Sequence, residues 1–300
     1  MQNAIIAVHR VANGVGEGPT WDASSGRLYW ADITGHAVHR LNPDSGEIES
    51  WRELDCPCFA VPCRSGRLLV GLRDGVYWFD SLTGRTTPFA RPEAESRPQN
   101  RSNEGKVDPK GRLWLGTMES NLSSDGSERA MVRSNGALYC IDARGSTVMV
   151  VDGVGVSNTL AWADHGNTMY FGDSLTNEIS RYLLDPSGPG VIRKEVFQKD
   201  RPAGFCDGSA IDVEGGLWNA RFGAGVVVRF APDGGVDRTI TLPCTNPTSC
   251  CFGGRDLSTL FVTSARFGLT TEQLAANSLE GVLTAINVGV VGAAVPPFAD

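Results

Sequence analysis

Six tandem copies of one two-hairpin unit predict an all-β chain, folded as a six-bladed β-propeller with four antiparallel strands per blade. Three observations carry that expectation. An apolar residue, a polar turn with glycine and a β-rich run recur in that order six times along the 300 residues. A second hairpin follows each copy, and helical periodicity is nearly absent. The copies start about 40 to 55 residues apart, the period of a propeller blade. They fill residues 1–300 as one domain.

The units follow in order. WDASSGRLYWAD from Trp21 precedes VHRLNPDSGEI, and VPCRSGRLLVGL from Val61 precedes VYWFDSLTGRT. VDPKGRLWLGTM from Val107 leads to LYCIDARGSTV, and WADHGNTMYFGD from Trp162 leads to ISRYLLDPSGPG. IDVEGGLWNARF from Ile211 leads to VVRFAPDGGVD. FGGRDLSTLFVTSA from Phe252, the weakest copy, leads to a last expected hairpin, VLTAINVGVVG. Asp-Gly, Ser-Gly and Thr-Gly pairs supply the positive φ of tight hairpins. A four-stranded sheet this small cannot bury both faces alone, so neighbours must stack around an axis. A β-sandwich also has short strands and regular turns, but no sixfold repeat. Only Thr271–Leu279 (TEQLAANSL) has helical composition.

Composition removes whole classes of function. A net charge of −7 argues against nucleic acid or an anionic membrane surface as the main partner. No apolar run approaches the length of a membrane span. MQNAIIAVHRVANG is no secretory signal, because its apolar run is short and its first basic residue comes late. Eight cysteines, without paired metal-binding spacing or a nearby histidine, read as free thiols in a reducing cytoplasm. No GxSxG elbow, HExxH pair or EF-hand loop occurs.

One register holds polar residues. Four positions before the leading apolar residue stand Glu17, Asn103, Asn158 and Asp207, with Pro57 and Thr248 in the remaining two copies. Blades are related by rotation, so equivalent positions form a ring at one depth. Two carboxylates and two carboxamides are therefore expected at one mouth of the axial channel. Oxygen-only donors suit a hard divalent cation. Taken singly, each residue also suits a turn; the shared register is what sets them apart.

Several long segments, in order, resemble the regucalcin/gluconolactonase family of six-bladed propellers. They are GEGPTWD (16–22), RSNEGKVDPKGRLWLGTM (101–118), SNTLAW (157–162), DGSAIDVEGGLW (207–218) and TSCCFGG (248–254). The resemblance spans nearly the whole chain. It implies one divalent ion (calcium, zinc, manganese, magnesium or iron(II)) held by Glu17, Asn158 and Asp207; water attacking a lactone carbonyl there must be deprotonated, and Asp207 is the expected catalytic base. It implies substrate contacts by Arg101 and Asn103, with Glu119 the nearest match to a family glutamate. The implied reaction is hydrolysis of sugar aldonolactones by a monomer or weak homo-oligomer. A non-catalytic calcium-binding propeller, and a propeller hydrolase for another ester or a phosphoester, are the competing readings. Two positions depart from the family pattern: Asn158 is followed by Thr159 where Asn-Gly is common, and Glu104 stands where aspartate is common. The long polar segment 119–136 is expected to form a lid over the mouth.

Overall fold

The computed structural model describes residues 4–123 and 127–300. Six four-stranded antiparallel sheets stand around one axis. Their innermost strands are Gly16–Asp22, Phe59–Pro62, Asn100–Val107, Ser157–Ala163, Phe205–Ile211 and Pro247–Gly253. These strands are mostly buried, whereas outer strands such as Thr147–Val154 and Val191–Lys199 are largely exposed. Arg193, Lys194, Glu195 and Lys199 charge the latter edge, which blunts strand-to-strand aggregation. The helix shrinks to Thr271–Ala276, closed at its start by a Thr270–Gln273 capping box.

The last blade corrects the repeat. Its third strand, Leu283–Asn287, pairs with Ala4–His9 from the other end of the chain instead of turning back within VLTAINVGVVG. Ala4 opposes Asn287 and His9 opposes Leu283. A ring closed this way fastens its first blade to its last through main-chain hydrogen bonds. Residues 291–300 cross the far end of the channel instead. Val213 and Arg64 donate backbone N–H groups to the carbonyls of Val291 and Phe298, both at 2.9 Å. The Asp300 carboxylate accepts from Ser65 N at 3.0 Å and Arg67 Nη2 at 2.9 Å.

An aspartate pins the turn in two of the best-matching copies. Asp108 Oδ1 accepts from the N–H groups of Lys110 and Arg112, while Oδ2 accepts from Trp114 Nε1 at 2.8 Å. Asp212 does the same for Glu214, Gly216 and Trp218, again at 2.8 Å to the indole. The repeated Asp-x5-Trp spacing thus locks a hairpin to a core indole. All eight cysteines are free and buried, as their spacing indicated.

Candidate active site at the axial mouth

In five of the six sheets the ring position coincides with a defect. Register slips between Glu17 and Thr20, Ser102 and Glu104, Asn158 and Ala161, Cys206 and Ser209, and Pro247 and Cys250. A bulge at one step of a strand re-aims the side chain there. Phe59–Pro62 pairs regularly, and its blade has Pro57 at the ring position. Thr248 donates its hydroxyl to the carbonyl of Gly16, sewing the sixth blade to the first.

A relay of donors runs across three blades. Arg101 Nη1 donates to Asn103 Oδ1 at 2.7 Å, and Asn103 Nδ2 donates to Asn158 Oδ1 at 3.2 Å and to Ser157 O at 2.8 Å. Asn158 Nδ2 donates to Ser174 Oγ at 2.8 Å, and the Ser174 hydroxyl donates in turn to the carbonyl of Cys206. Each amide is oriented by its neighbour. With its nitrogen committed to Ser174, Asn158 keeps its oxygen on the side of Asn103.

The carboxylates crowd one another. Burial first, then the charge of Glu104, pushes Glu17 up to about 8. Burial, then Glu17 and Glu104, hold Asp207 well above the usual aspartate range. One oxygen of each is occupied locally, Glu17 Oε2 by the N–H of Gly18 and Asp207 Oδ1 by that of Gly208, both at 3.0 Å. Burial raises Glu104 as well, opposed by Lys106. Glu104 Oε1 accepts from Gly105 N at 3.1 Å, and its Oε2 is buried without a partner. Lys106 reaches over to the carbonyl of Ser209, which puts a cationic floor beneath the ring. Among the described residues no three His, Cys, Asp or Glu side chains form a metal-holding group.

One of the expected contacts reads differently, and one residue was not expected. Glu119 Oε2 accepts from the backbone N–H groups of Val132 and Arg133, at 2.6 and 2.8 Å. Those donors hold its carboxyl below the usual glutamate range and make it an anchor for the following segment. Asn121, absent from the sequence reading, instead meets the ring network: its Oδ1 accepts from Arg101 Nε at 3.2 Å and Nη2 at 2.9 Å. The only signal for it was its place two residues past Glu119 in a polar stretch. Residues 124–126 of the expected lid lie outside the described residues. Around them, Arg129 N donates to Asn121 O at 2.8 Å, so the segment folds back on its own start.

A sizeable cavity lies elsewhere. About 1120 Å³ opens at the far end of the channel, against Trp21, Val107, Trp162, Ile211 and Phe252. Its lining also includes Lys106, Arg181, Asp212 and Glu214, and none of Glu17, Asn103, Asn158 and Asp207.

Residues 15–266 match the SMP-30/Gluconolactonase/LRE-like region. The chain belongs to this family. It is 34% identical over 301 residues to 6-deoxy-6-sulfogluconolactonase of Pseudomonas putida, covering 100% of both chains. It is 34% identical to regucalcin of Danio rerio, over 98% of this chain and 97% of that one. The crystal structure of regucalcin, a calcium-binding protein from Agrobacterium tumefaciens, superposes with a TM-score of 0.90 at 29% identity, covering 99% of this chain and 98% of that one.

Within this SMP-30/gluconolactonase-type propeller, all five of Glu17, Arg101, Asn103, Asn158 and Asp207 fall inside the matched region. The two departures also sit at the ring. Glu104 brings a third carboxylate against Glu17 and Asp207. Thr159 adopts φ +51°, close to the +56° of Gly18 in the first blade, so a β-branched residue occupies a conformation that glycine takes freely.

Proposed function

We propose that the chain is a lactonase that hydrolyses sugar aldonolactones to aldonic acids, using one divalent cation at the axial mouth. The observation that carries this reading is the pairing of two crowded, buried carboxylates with the Arg101–Asn103–Asn158 relay. Relatives named for sulfogluconolactone hydrolysis and for calcium binding support its two halves. Glu17, Asn158 and Asp207 would hold the ion, since their oxygens suit a hard cation and two carboxylates neutralise it. When bound, the ion supplies Lewis-acid polarisation of a carbonyl.

The protein's own groups do the remainder. Asp207 has Oδ1 engaged by Gly208, so it takes the proton of the attacking water at Oδ2. Oxygen adds to the lactone carbon, the ring C–O bond breaks, and Asp207 returns that proton to the leaving ring oxygen, which becomes the alcohol of the acid product. Arg101 and Asn103 hold polyol hydroxyls so that the carbonyl presents to that water. Lys106 and the buried strand ends close the channel below.

Arg101→Ala tests the substrate contact. Loss of a hydrogen bond to a charged group costs roughly 1.5–3 kcal/mol, so kcat/KM for the best lactone should fall about ten- to a hundredfold. Bound cation should stay stoichiometric by elemental analysis. Loss of the ion instead, or unchanged hydrolysis, removes Arg101 from the substrate side.

The crowded carboxyls predict a pH effect. Glu17 binds its proton more tightly folded, up to about 8, than at its ordinary 4.5, and Asp207 shifts the same way. The cation-free fold therefore gains stability from them at low pH and loses it as pH rises through that range. A cation binds the deprotonated pair. The rise in Tm on adding calcium or manganese should be larger at about pH 8.5 than at about pH 5.5. An equal rise at both would contradict the site.

A non-catalytic calcium-binding role is favoured only by the regucalcin relatives. It needs the cation ligands and leaves Arg101 and Asn103 only the task of orienting Asn158.

A further inference from the structure

Thr159 directly follows a ring residue, as Gly18 does in the first blade, yet it carries a β-branched side chain at φ +51°. It is fully buried, so the side chain serves the interior. Its hydroxyl donates to the backbone carbonyl of Asp207 at 2.6 Å, across the seam between the fourth and fifth blades. Asn219 Nδ2 donates to the same carbonyl at 2.7 Å and lies 3.1 Å from the Thr159 hydroxyl. Arg221 Nη1 sets the Asn219 amide by donating to its oxygen at 3.1 Å. Arg221 is itself buried and fixed on the carbonyls of Pro202 and Gly204, at 2.7 and 2.6 Å.

The carbonyl held in this way belongs to the bulged step between Cys206 and Ser209, where the ladder to the neighbouring strand slips. An unpaired peptide in a bulge is not fixed by the sheet. Two side-chain donors fix it instead. The wedge is tight as well: a Cβ on Gly172 would lie 2.8 Å from both Cβ and Oγ1 of Thr159. Glycine at 159 would suit the backbone but would bring no hydroxyl to Asp207.

We infer that Thr159, backed by Asn219, is a positioning residue: its hydroxyl locks the Asp207 peptide and thereby aims the Asp207 carboxylate into the mouth. This rests on Asp207 being the base and a cation ligand, as proposed above.

Steady-state kinetics, thermal melts and Mn²⁺ titration of the full chain test it, with Thr159→Val, Thr159→Ser, Thr159→Gly and Asp207→Ala compared in parallel. Thr159→Val keeps the shape without the hydroxyl and should lower kcat about tenfold, with KM within about twofold. Thr159→Ser restores the donor and should come within about threefold of the parent. Thr159→Gly relieves the left-handed strain and should melt no lower than the parent, yet lose about tenfold in kcat and about threefold or more in Mn²⁺ affinity. If Thr159→Val does not fold, the Ser and Gly variants decide between them. Parent-like kcat in Thr159→Gly, or a serine variant as slow as the valine or glycine one, overturns the inference. An active Asp207→Ala would instead sink the assignment of the base. An inactive Asp207→Ala beside a parent-like Thr159→Gly would sink only the positioning role.

Discussion

Asp207→Ala should lower lactone kcat/KM by about a thousandfold or more and release the bound cation. General-base catalysis contributes roughly 10²–10⁴-fold, and the same substitution removes one of two anionic ligands. The fold should survive, because the Asp207 side chain accepts only the N–H of its neighbour Gly208. Burial and the charges of Glu17 and Glu104 disfavour its ionised form, so folding the cation-free parent near neutral pH must protonate it, a cost that alanine does not carry. At neutral pH the cation-free variant should therefore melt at or above the cation-free parent. Parent-like turnover, or retained stoichiometric cation, would show that Asp207 is neither base nor ligand. Collapse of the fold would show that the mouth is structural.

The largest loss of stability should come from Asp212→Ala, far from the mouth. Its carboxylate is fully buried and receives two turn N–H groups, the Trp218 indole and the Arg229 guanidinium, the last at 2.7 Å. Arg229 is 8% exposed and also meets Glu214 and Asp237; these bonds raise its affinity for its proton, so it stays charged. Deleting the carboxylate leaves that charge with only the two more exposed partners and strands the indole. Breaking a buried pair by removing one partner costs about 3–5 kcal/mol. A fall in Tm of roughly 10 °C follows, whereas Glu49→Ala, in the exposed Arg40–Glu49 pair, should change Tm little. Equal melts for the two variants would mean that the Asp-x5-Trp lock does not hold the blade.

The sequence displays these features unevenly, for physical reasons. Six blades were legible because each hairpin repeats its apolar run and glycine turn within about fifty residues, a local pattern. The closing strand was not. Ala4–His9 is a short apolar run whose partner, Leu283–Asn287, lies at the opposite end of the chain, and no periodicity links the two. The ring was legible as a register, since Glu17, Asn103, Asn158 and Asp207 stand at equivalent positions. The bulges that aim them were not, because a slipped ladder leaves no residue signature where Thr159 replaces glycine. Asn121 stayed hidden for a similar reason. Which of Glu119 and Asn121 reaches Arg101 depends on how the segment after the strand folds back, and Glu119 is taken by the N–H groups of Val132 and Arg133.

Acid release from a panel of five- and six-carbon aldonolactones tests the account most directly. It is followed with the purified chain as prepared, after chelation, and after adding back each of calcium, zinc, manganese, magnesium and iron(II). Hydrolysis of at least one lactone, lost on chelation and restored by a divalent ion bound one per chain, is the predicted result. No hydrolysis of any lactone by the ion-loaded chain, or hydrolysis that chelation leaves untouched after the ion is gone, would contradict it.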